Sequence, residues 1–337
     1  MDKQDVIVAT RNLTKRFNTR VATRKGWQKR TIAAVSDITL DIAPGETLGL
    51  VGESGCGKTT LGRMLSLFYL PSEGSMHIQG VDVSALRPKQ VKPLRQHVQM
   101  IFQDPMSSLN PRHTVESILT EPLKIFSAGN AGTRRQKAAA LLESVGMSAA
   151  DLGKYPHEFS GGQRQRITIA RALVLNPAFI VADEPVSALD VSVQSQILNL
   201  MKDIREEFNL TYLFISHDLA VVHHLANRVA VMYLGRIVEI AERDSLFDRA
   251  RHPYTQSLLS SVPTVVPNKS KIGRILQGDP PSPIDPPSGC PFHPRCPHAA
   301  DVCKASVPIL ETVDAATRHQ AACHLKDSIK PGLGGPR

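Results

Sequence analysis

The segment Gly52-Glu53-Ser54-Gly55-Cys56-Gly57-Lys58-Thr59-Thr60 fits the pattern G-x-x-x-x-G-K-[ST]. Glycines at these spacings let backbone N–H groups wrap phosphate oxygens, and a following helix start adds its positive dipole end. In such a loop Lys58 bridges the β- and γ-phosphates and the Thr59 hydroxyl ligates Mg²⁺. Cys56 sits at a free position and reads as a small filler. Downstream, Phe179-Ile180-Val181-Ala182-Asp183-Glu184 is an apolar run that ends in two acids. A buried strand there delivers Asp183 to the magnesium water shell, and Glu184 can polarise an attacking water. Two acids after a strand are more often a solvated turn or a helix cap; the upstream loop reverses that reading. Phe159-Ser160-Gly161-Gly162-Gln163 opens a helical run to Leu173, with Ser160 as N-cap. One chain with two anion-seeking helix starts implies two phosphate groups, or one site shared between two chains.

Taken in order, Gly52–Thr60, Gln103, Phe159–Gln163, Phe179–Glu184, Ser187-Ala188-Leu189-Asp190 and His217 resemble the ATP-binding cassette of ABC transporters, over residues 5–260. The resemblance implies ATP hydrolysis and a head-to-tail dimer. Ser160, Gly161 and Gly162 of one cassette then face the γ-phosphate held by the other's loop. It also implies that Gln103 senses Mg²⁺ and the permease, that Asp190 links the two sites, that His217 contacts the γ-phosphate, and that Phe17 stacks on adenine. Magnesium is then held through Thr59, Gln103 and Asp183. Phe102–Pro111, Arg251–Thr255 and Pro286–Cys290 are similar to the ATPase subunits of dipeptide and oligopeptide importers, a group that includes nickel and glutathione importers. That group implies a paralogous second cassette in a heterodimer, two membrane permeases, an extracytoplasmic binding protein that chooses the cargo, and a place on the cytoplasmic face of the inner membrane.

Four of the five cysteines, Cys290, Cys296, Cys303 and Cys323, fall near the end of the chain. In a reducing compartment such a group points to metal before disulfide. Close C-x₂₋₄-C pairs, the usual zinc signature, are absent, and four thiolates suit an iron–sulfur cluster. Some importers of the resembled group carry a [4Fe–4S] cluster in the matching segment. Zinc, with His293, His298 or His324 substituting, stays open, as does a staple without metal.

These residues need elements to hold them. Apolar strands alternate with helices from Thr47 to Tyr233, the pattern of an α/β layer with a mostly parallel sheet. The resemblance adds a RecA-like core, an antiparallel β subdomain and a helical subdomain at about 104–160. The expected division is a cassette over 5–262 and a Cys/Pro-rich module over 263–337, since half of the 24 prolines lie in the last 72 residues. A length of 337 residues and 42% apolar content exclude wholesale disorder. No apolar run approaches the length of a spanning helix, and Met1–Asp5 lacks a secretory pattern. The net charge of +9 invites a nucleic-acid reading. Its distribution argues against one: nine basic residues against two acidic ones fall in residues 1–30, most within 11–30, which reads as an exposed basic loop facing nucleotide phosphate or an anionic membrane. Nucleic-acid ATPases of the resembled type insert long coiled coils or a zinc domain between loop and Ser-Gly-Gly; here Lys58 and Ser160 stand only 102 positions apart. No nucleic-acid partner is expected.

Overall fold

A computed structural model describes residues 6–23, 26–261 and 278–329. The basic N-terminal stretch forms a hairpin, which corrects the expected loop. Strand β1 (Val8–Thr23) pairs antiparallel with β2 (Gly26–Ile42), from Val8 opposite Ile42 to Thr23 opposite Gly26. Its buried half alternates normally, with Val8, Leu13, Val35, Ile38, Leu40 and Ile42 in the core. Beyond Phe17 the two strands form a ribbon that packs on little else, so the ladder needs no apolar alternation and periodicity could not reveal it. Lys29 and Arg30 are exposed on this ribbon, while Arg24 and Lys25 lie outside the described residues. Strands β4 (Glu73–Ile78) and β5 (Val81–Asp82) complete a four-stranded antiparallel sheet, in the order β2-β1-β4-β5.

The second sheet has eight strands. Its parallel part consists of β3 (Thr47–Val51), β6 (Val98–Ile101), β7 (Phe179–Asp183), β8 (Thr211–Ile215) and β9 (Arg228–Tyr233), ordered β9-β3-β8-β7-β6. Every residue of β3, β7 and β8 is buried, which explains why these strands read as unbroken apolar runs rather than alternations. Helices α1 (Lys58–Leu65), α6 (Gly161–Leu173), α7 (Val191–Phe208) and α8 (Leu219–Leu225) accompany the parallel strands. Their approach is close: a Cβ on Gly49 of β3 would meet Val222 Cγ1 of α8 at 2.5 Å. Between β6 and α6 the chain runs through α3 (Pro105–Ser108), α4 (Val115–Ile125) and α5 (Ala131–Ser144), a helical segment that buries Val115, Ile118, Leu119, Leu141 and Leu142. Short α2 (Pro88–Val91) precedes β6.

The C-terminal residues join this sheet rather than sitting beside it. Strand β10 (Arg236–Glu242) turns back from β9 through Leu234 and Gly235, both at positive φ. Helices α9 (Arg243–Arg249), α10 (Pro253–Ser260) and α11 (Asp301–Ala305) follow, and then β11 (Glu311–Asp314) and β12 (His319–Ala321). β12 pairs with β10, and β11 closes that edge. Glu239 of β10, fully buried, accepts hydrogen bonds from the backbone N–H groups of Arg251 (2.6 Å) and His252 (3.0 Å) and from His319 Nε2 (2.7 Å). Removing one partner of such a buried pair costs about 3–5 kcal/mol, so this cluster rivets β12 to the sheet. Cys290, Phe292 and Cys303 are in the same core as the parallel strands. The described prolines of this segment fall in irregular chain and turns, where a missing N–H donor matters least. Among the described residues no helix is long and apolar enough to cross a membrane.

Candidate functional site

The loop between β3 and α1 is built around positive-φ glycines. Gly57, at φ 108°, is the N-cap of α1, and a Cβ there would stand 2.2 Å from the Ala34 carbonyl oxygen. Only glycine keeps this turn against the β2 backbone. The Lys58 ammonium is buried under the loop and donates to the carbonyl oxygens of Gly52 (2.7 Å) and Glu53 (3.0 Å). Cys56 is buried beside it. Thr59 Oγ1 donates to Asp183 Oδ1 at 3.1 Å, so the first turn of α1 and the end of β7 are in direct contact. Burial pushes the Asp183 carboxyl above its ordinary pKa and the Glu184 charge adds to this, while the Thr59 bond and the Arg63 and Lys58 charges oppose it.

Glu184 follows β7 at φ 47°, a strained conformation for a non-glycine residue, fixed by its N–H bond to the Ile215 carbonyl at 3.0 Å. Its Oε2 accepts from Gln103 Nε2 at 2.9 Å and lies 3.2 Å from His217 Nδ1. Three residues from three separate strand ends, β6, β7 and β8, therefore converge on one carboxylate oxygen. With Ser54, Gly55, Gly57, Lys58, Thr59 and Thr60 they line a cavity of about 480 Å³. Ala34 of β2 lines it too; no local motif marks that residue in the sequence.

Other expected site residues stand apart from this cavity. Ser160 and Gln163 form a reciprocal capping box at the start of α6, with Ser160 N–H to Gln163 Oε1 at 2.9 Å and Gln163 N–H to Ser160 Oγ at 3.3 Å. Ser160, Gly161 and Gln163 are exposed. Gly162 leaves no room for a side chain, since its Cβ would meet Val193 Cγ1 at 2.5 Å. Asp190 caps α7, accepting from Val193 N–H (2.9 Å) and Ser192 Oγ (2.8 Å), and these bonds hold its carboxyl below the usual pKa. Phe17 lies half-buried, edge-on to Tyr69 with centroids 5.5 Å apart and Lys15 Nζ 5.5 Å above its ring. None of these lines the cavity around Lys58.

Sequence reasoning missed what stands behind the loop. Arg295, from the cysteine-bearing segment, makes a two-pronged ion pair with Glu53, at 2.7 and 3.0 Å, with its side chain 6% exposed. Tyr254 of α10 accepts a bond from the Glu53 N–H at 2.8 Å. Tyr254 packs with Tyr233 and Phe292, all fully buried. His252 caps α10 by accepting from the Tyr254 N–H at 3.1 Å; burial pushes its pKa down to about 4, which keeps the ring nitrogen available as an acceptor.

The four cysteines come within electrostatic reach of one another. Burial, with the neighbouring thiols adding to it, raises the pKa values of Cys290 and Cys296, and that of Cys323 to about 11. Cys290 N–H donates to the Cys303 carbonyl at 2.8 Å, which ties the two ends of this segment together. Among the described residues no three His, Cys, Asp or Glu side chains gather closely enough to hold a metal ion. The expected iron–sulfur cluster therefore has no assembled ligand group among the described residues.

Comparison with known proteins follows this geometry. The sequence profile of the ABC transporter family matches residues 35–187, and that of the oligopeptide/dipeptide transporter C-terminal region matches residues 238–303. The oligopeptide transport ATP-binding protein AppF of Bacillus subtilis is 50% identical over 329 residues, covering 96% of this chain and 98% of that one. A Sinorhizobium fredii chain whose name assigns it to peptide ABC transport is 48% identical over 325 residues, covering 96% of this chain and 90% of that one. Among solved structures, the ATP-binding cassette MJ0796, in a dimeric post-hydrolysis state bound to ADP and phosphate, superimposes with a TM-score of 0.62 at 28% identity. That match covers 70% of this chain and 98% of the cassette. A cassette from Clostridium perfringens, part of the transporter complex cbiONQ, gives 0.61 at 25% identity over 72% of this chain and 90% of its own. The chain is therefore an ATPase that belongs to the ABC transporter ATP-binding family, in its oligopeptide and dipeptide branch.

Proposed function

We propose that this chain hydrolyses ATP at the cavity around Lys58 to drive uptake of di- or oligopeptides through partner permeases at the cytoplasmic face of the inner membrane. The observation that carries the chemistry is the convergence of Gln103, Glu184 and His217 on the cavity that Lys58 and Thr59 also line. Lys58 holds the β- and γ-phosphates, and loop N–H groups bind the remaining oxygens. Glu184 orients and polarises the attacking water; Gln103 and His217 hold its carboxylate in place. The Thr59 hydroxyl, the Asp183 carboxylate and the Gln103 amide oxygen are hard donors that fit Mg²⁺, which when bound with nucleotide supplies neutralisation of phosphate charge. Ser160 and Gly161, exposed, and the half-buried Gly162, all away from the cavity, face the γ-phosphate of a second cassette in this reading. Asp190 stands beside them, and Phe17 offers its ring to adenine.

The groove of about 530 Å³ that includes Phe68, Phe102, Ser107, Ser108 and Pro122 receives a permease helix. Phe68 is 55% exposed and packs edge-on to Phe102, the neighbour of Gln103, so pressure in the groove reaches the ATP site directly. Peptide as cargo rests on the names of the relatives. Cells lacking this chain are expected to lose uptake of labelled di- and oligopeptides and to regain it with the wild-type copy. Loss of nickel or glutathione uptake with peptide uptake intact would overturn the peptide reading.

The cysteine quartet belongs to the same proposal, as the holder of a [4Fe–4S] cluster. Four thiols within electrostatic reach of one another, Cys290 and Cys303 buried and Cys296 and Cys323 half-buried, support it, and the cluster would supply a cross-link for a segment rich in proline. Anaerobically purified chain is expected to be brown and to contain iron and acid-labile sulfide, and iron removal should lower its Tm. A colourless, iron-free chain of unchanged Tm would remove the cluster.

A further inference from the structure

Glu53 lies inside the phosphate loop but does not line the cavity, and no step of the proposed hydrolysis uses its carboxylate. It is nonetheless fixed at three points. Its N–H donates to the Tyr254 hydroxyl at 2.8 Å, its carbonyl accepts from Lys58 at 3.0 Å, and its carboxylate takes both prongs of Arg295, at 2.7 and 3.0 Å. Two of these anchors lie outside the loop, 201 and 242 positions away.

We infer that Arg295 is a positioning residue of the ATP site: it fixes Glu53, neutralises a carboxylate beside the phosphates, and thereby ties nucleotide affinity to the cysteine-bearing segment. Three physical arguments converge. The fork geometry of a bidentate guanidinium sets both the direction and the distance of the carboxylate, which a point charge would not. The Arg295 side chain is held close against the Tyr233 ring, its guanidinium carbon 6.0 Å from the centroid and Nη1 3.5 Å from the hydroxyl, so it has little freedom to follow a displaced Glu53. Lastly, Arg295 directly precedes Cys296 in a turn closed by His293 N–H to the Cys290 carbonyl (3.0 Å) and Cys296 N–H to the His293 carbonyl (3.3 Å). The backbone of this cysteine-flanked turn therefore fixes where Arg295 stands.

Removing the guanidinium leaves an uncompensated carboxylate next to a triphosphate, which opposes ATP entry. It leaves Gln103, Glu184 and His217 in place. KM for ATP should move and kcat should not. This inference rests on the reading of the cavity as the ATP site. In the assembled transporter, Arg295→Gln is expected to raise KM for ATP about tenfold with kcat within about twofold. In a Glu53→Gln background the same substitution is expected to change KM by less than about twofold, because the charge to be neutralised is gone. An unchanged KM for Arg295→Gln, or an equal KM shift in both backgrounds, would overturn the inference and mark Arg295 as merely structural. If Arg295→Gln does not fold, Arg295→Lys carries the test: it keeps charge without the fork and should raise KM about threefold, and an unchanged value again overturns it. ATP affinity measured by titration on the same proteins gives the comparison without turnover, so a failure of the hydrolysis reading and a failure of this one remain distinguishable.

Discussion

Glu184→Gln is expected to lower ATP turnover by about a thousandfold while leaving ATP binding intact. A thousandfold loss corresponds to about 4 kcal/mol of barrier. The prediction follows from what the substitution keeps. The amide occupies the volume of the carboxylate, and the strained backbone at Glu184 stays fixed by its bond to Ile215. Gln103 Nε2 still finds an oxygen acceptor where Oε2 now stands. Only basicity and charge disappear. Losing the charge also relieves Asp183, whose pKa is raised mainly by burial and further by the neighbouring Glu184 carboxylate, so the Asp183 carboxyl is more readily ionised in the variant than in the wild type. ATP should thus bind at least as well, and without turnover an ATP-bound dimer should accumulate. Phosphate release and the ATP-dependent change in size-exclusion mass measure the two effects. Turnover within about tenfold of wild type would remove Glu184 from its role.

The parts of this site that the sequence discloses are those set by short spacing. A glycine loop between a buried strand and a helix can close only one way, so Gly52–Thr60 announced its own geometry. Asp183 and Glu184 are readable because a fully buried strand needs its first acid at the exit. His217 and Gln103 are legible only through the resemblance to the cassette, since a lone histidine or glutamine after a strand carries no chemistry by itself. What the residues do not disclose is contact between distant surfaces. Glu53 reads as part of the phosphate loop and Arg295 carries no signal of its own; nothing in either neighbourhood says that they meet. The ribbon after Phe17 escaped because strands exposed on both faces carry no period. β10 escaped for a related reason: its turn is Leu234-Gly235, without the Asn-Gly or Asp-Gly signal of a tight hairpin. The edge strands β11 and β12 are four and three residues long, too short for any pattern. Ser160 shows the opposite limit. Its helix cap is plain, and in the proposed reading the surface it serves belongs to a second cassette.

Lys58→Ala should fail one step earlier than Glu184→Gln, at nucleotide binding. In the nucleotide-free chain the ammonium is held by the Gly52 and Glu53 carbonyls; with ATP the same three donors serve phosphate oxygens. Charge-assisted bonds of this kind contribute about 1.5–3 kcal/mol each, so losing two of them weakens ATP binding by roughly two to four orders of magnitude. Arginine should not rescue it. The pocket between two carbonyls of one loop admits a compact ammonium, and a planar guanidinium needs a wider mouth. A second consequence separates this variant from the other. Ligand binding raises stability with the logarithm of ligand concentration over Kd, so ATP with Mg²⁺ held between the Kd values of wild type and Lys58→Ala should stabilise wild type and Glu184→Gln alike and leave Lys58→Ala nearly where it was. The ligand-free Tm of Lys58→Ala should itself fall, because two buried carbonyls lose their donor at about 1–3 kcal/mol each. If Lys58→Ala were stabilised by ATP as strongly as wild type, the phosphates would have to bind elsewhere, and the cavity that Gln103, Glu184 and His217 share with this lysine would no longer be the place where ATP is cut.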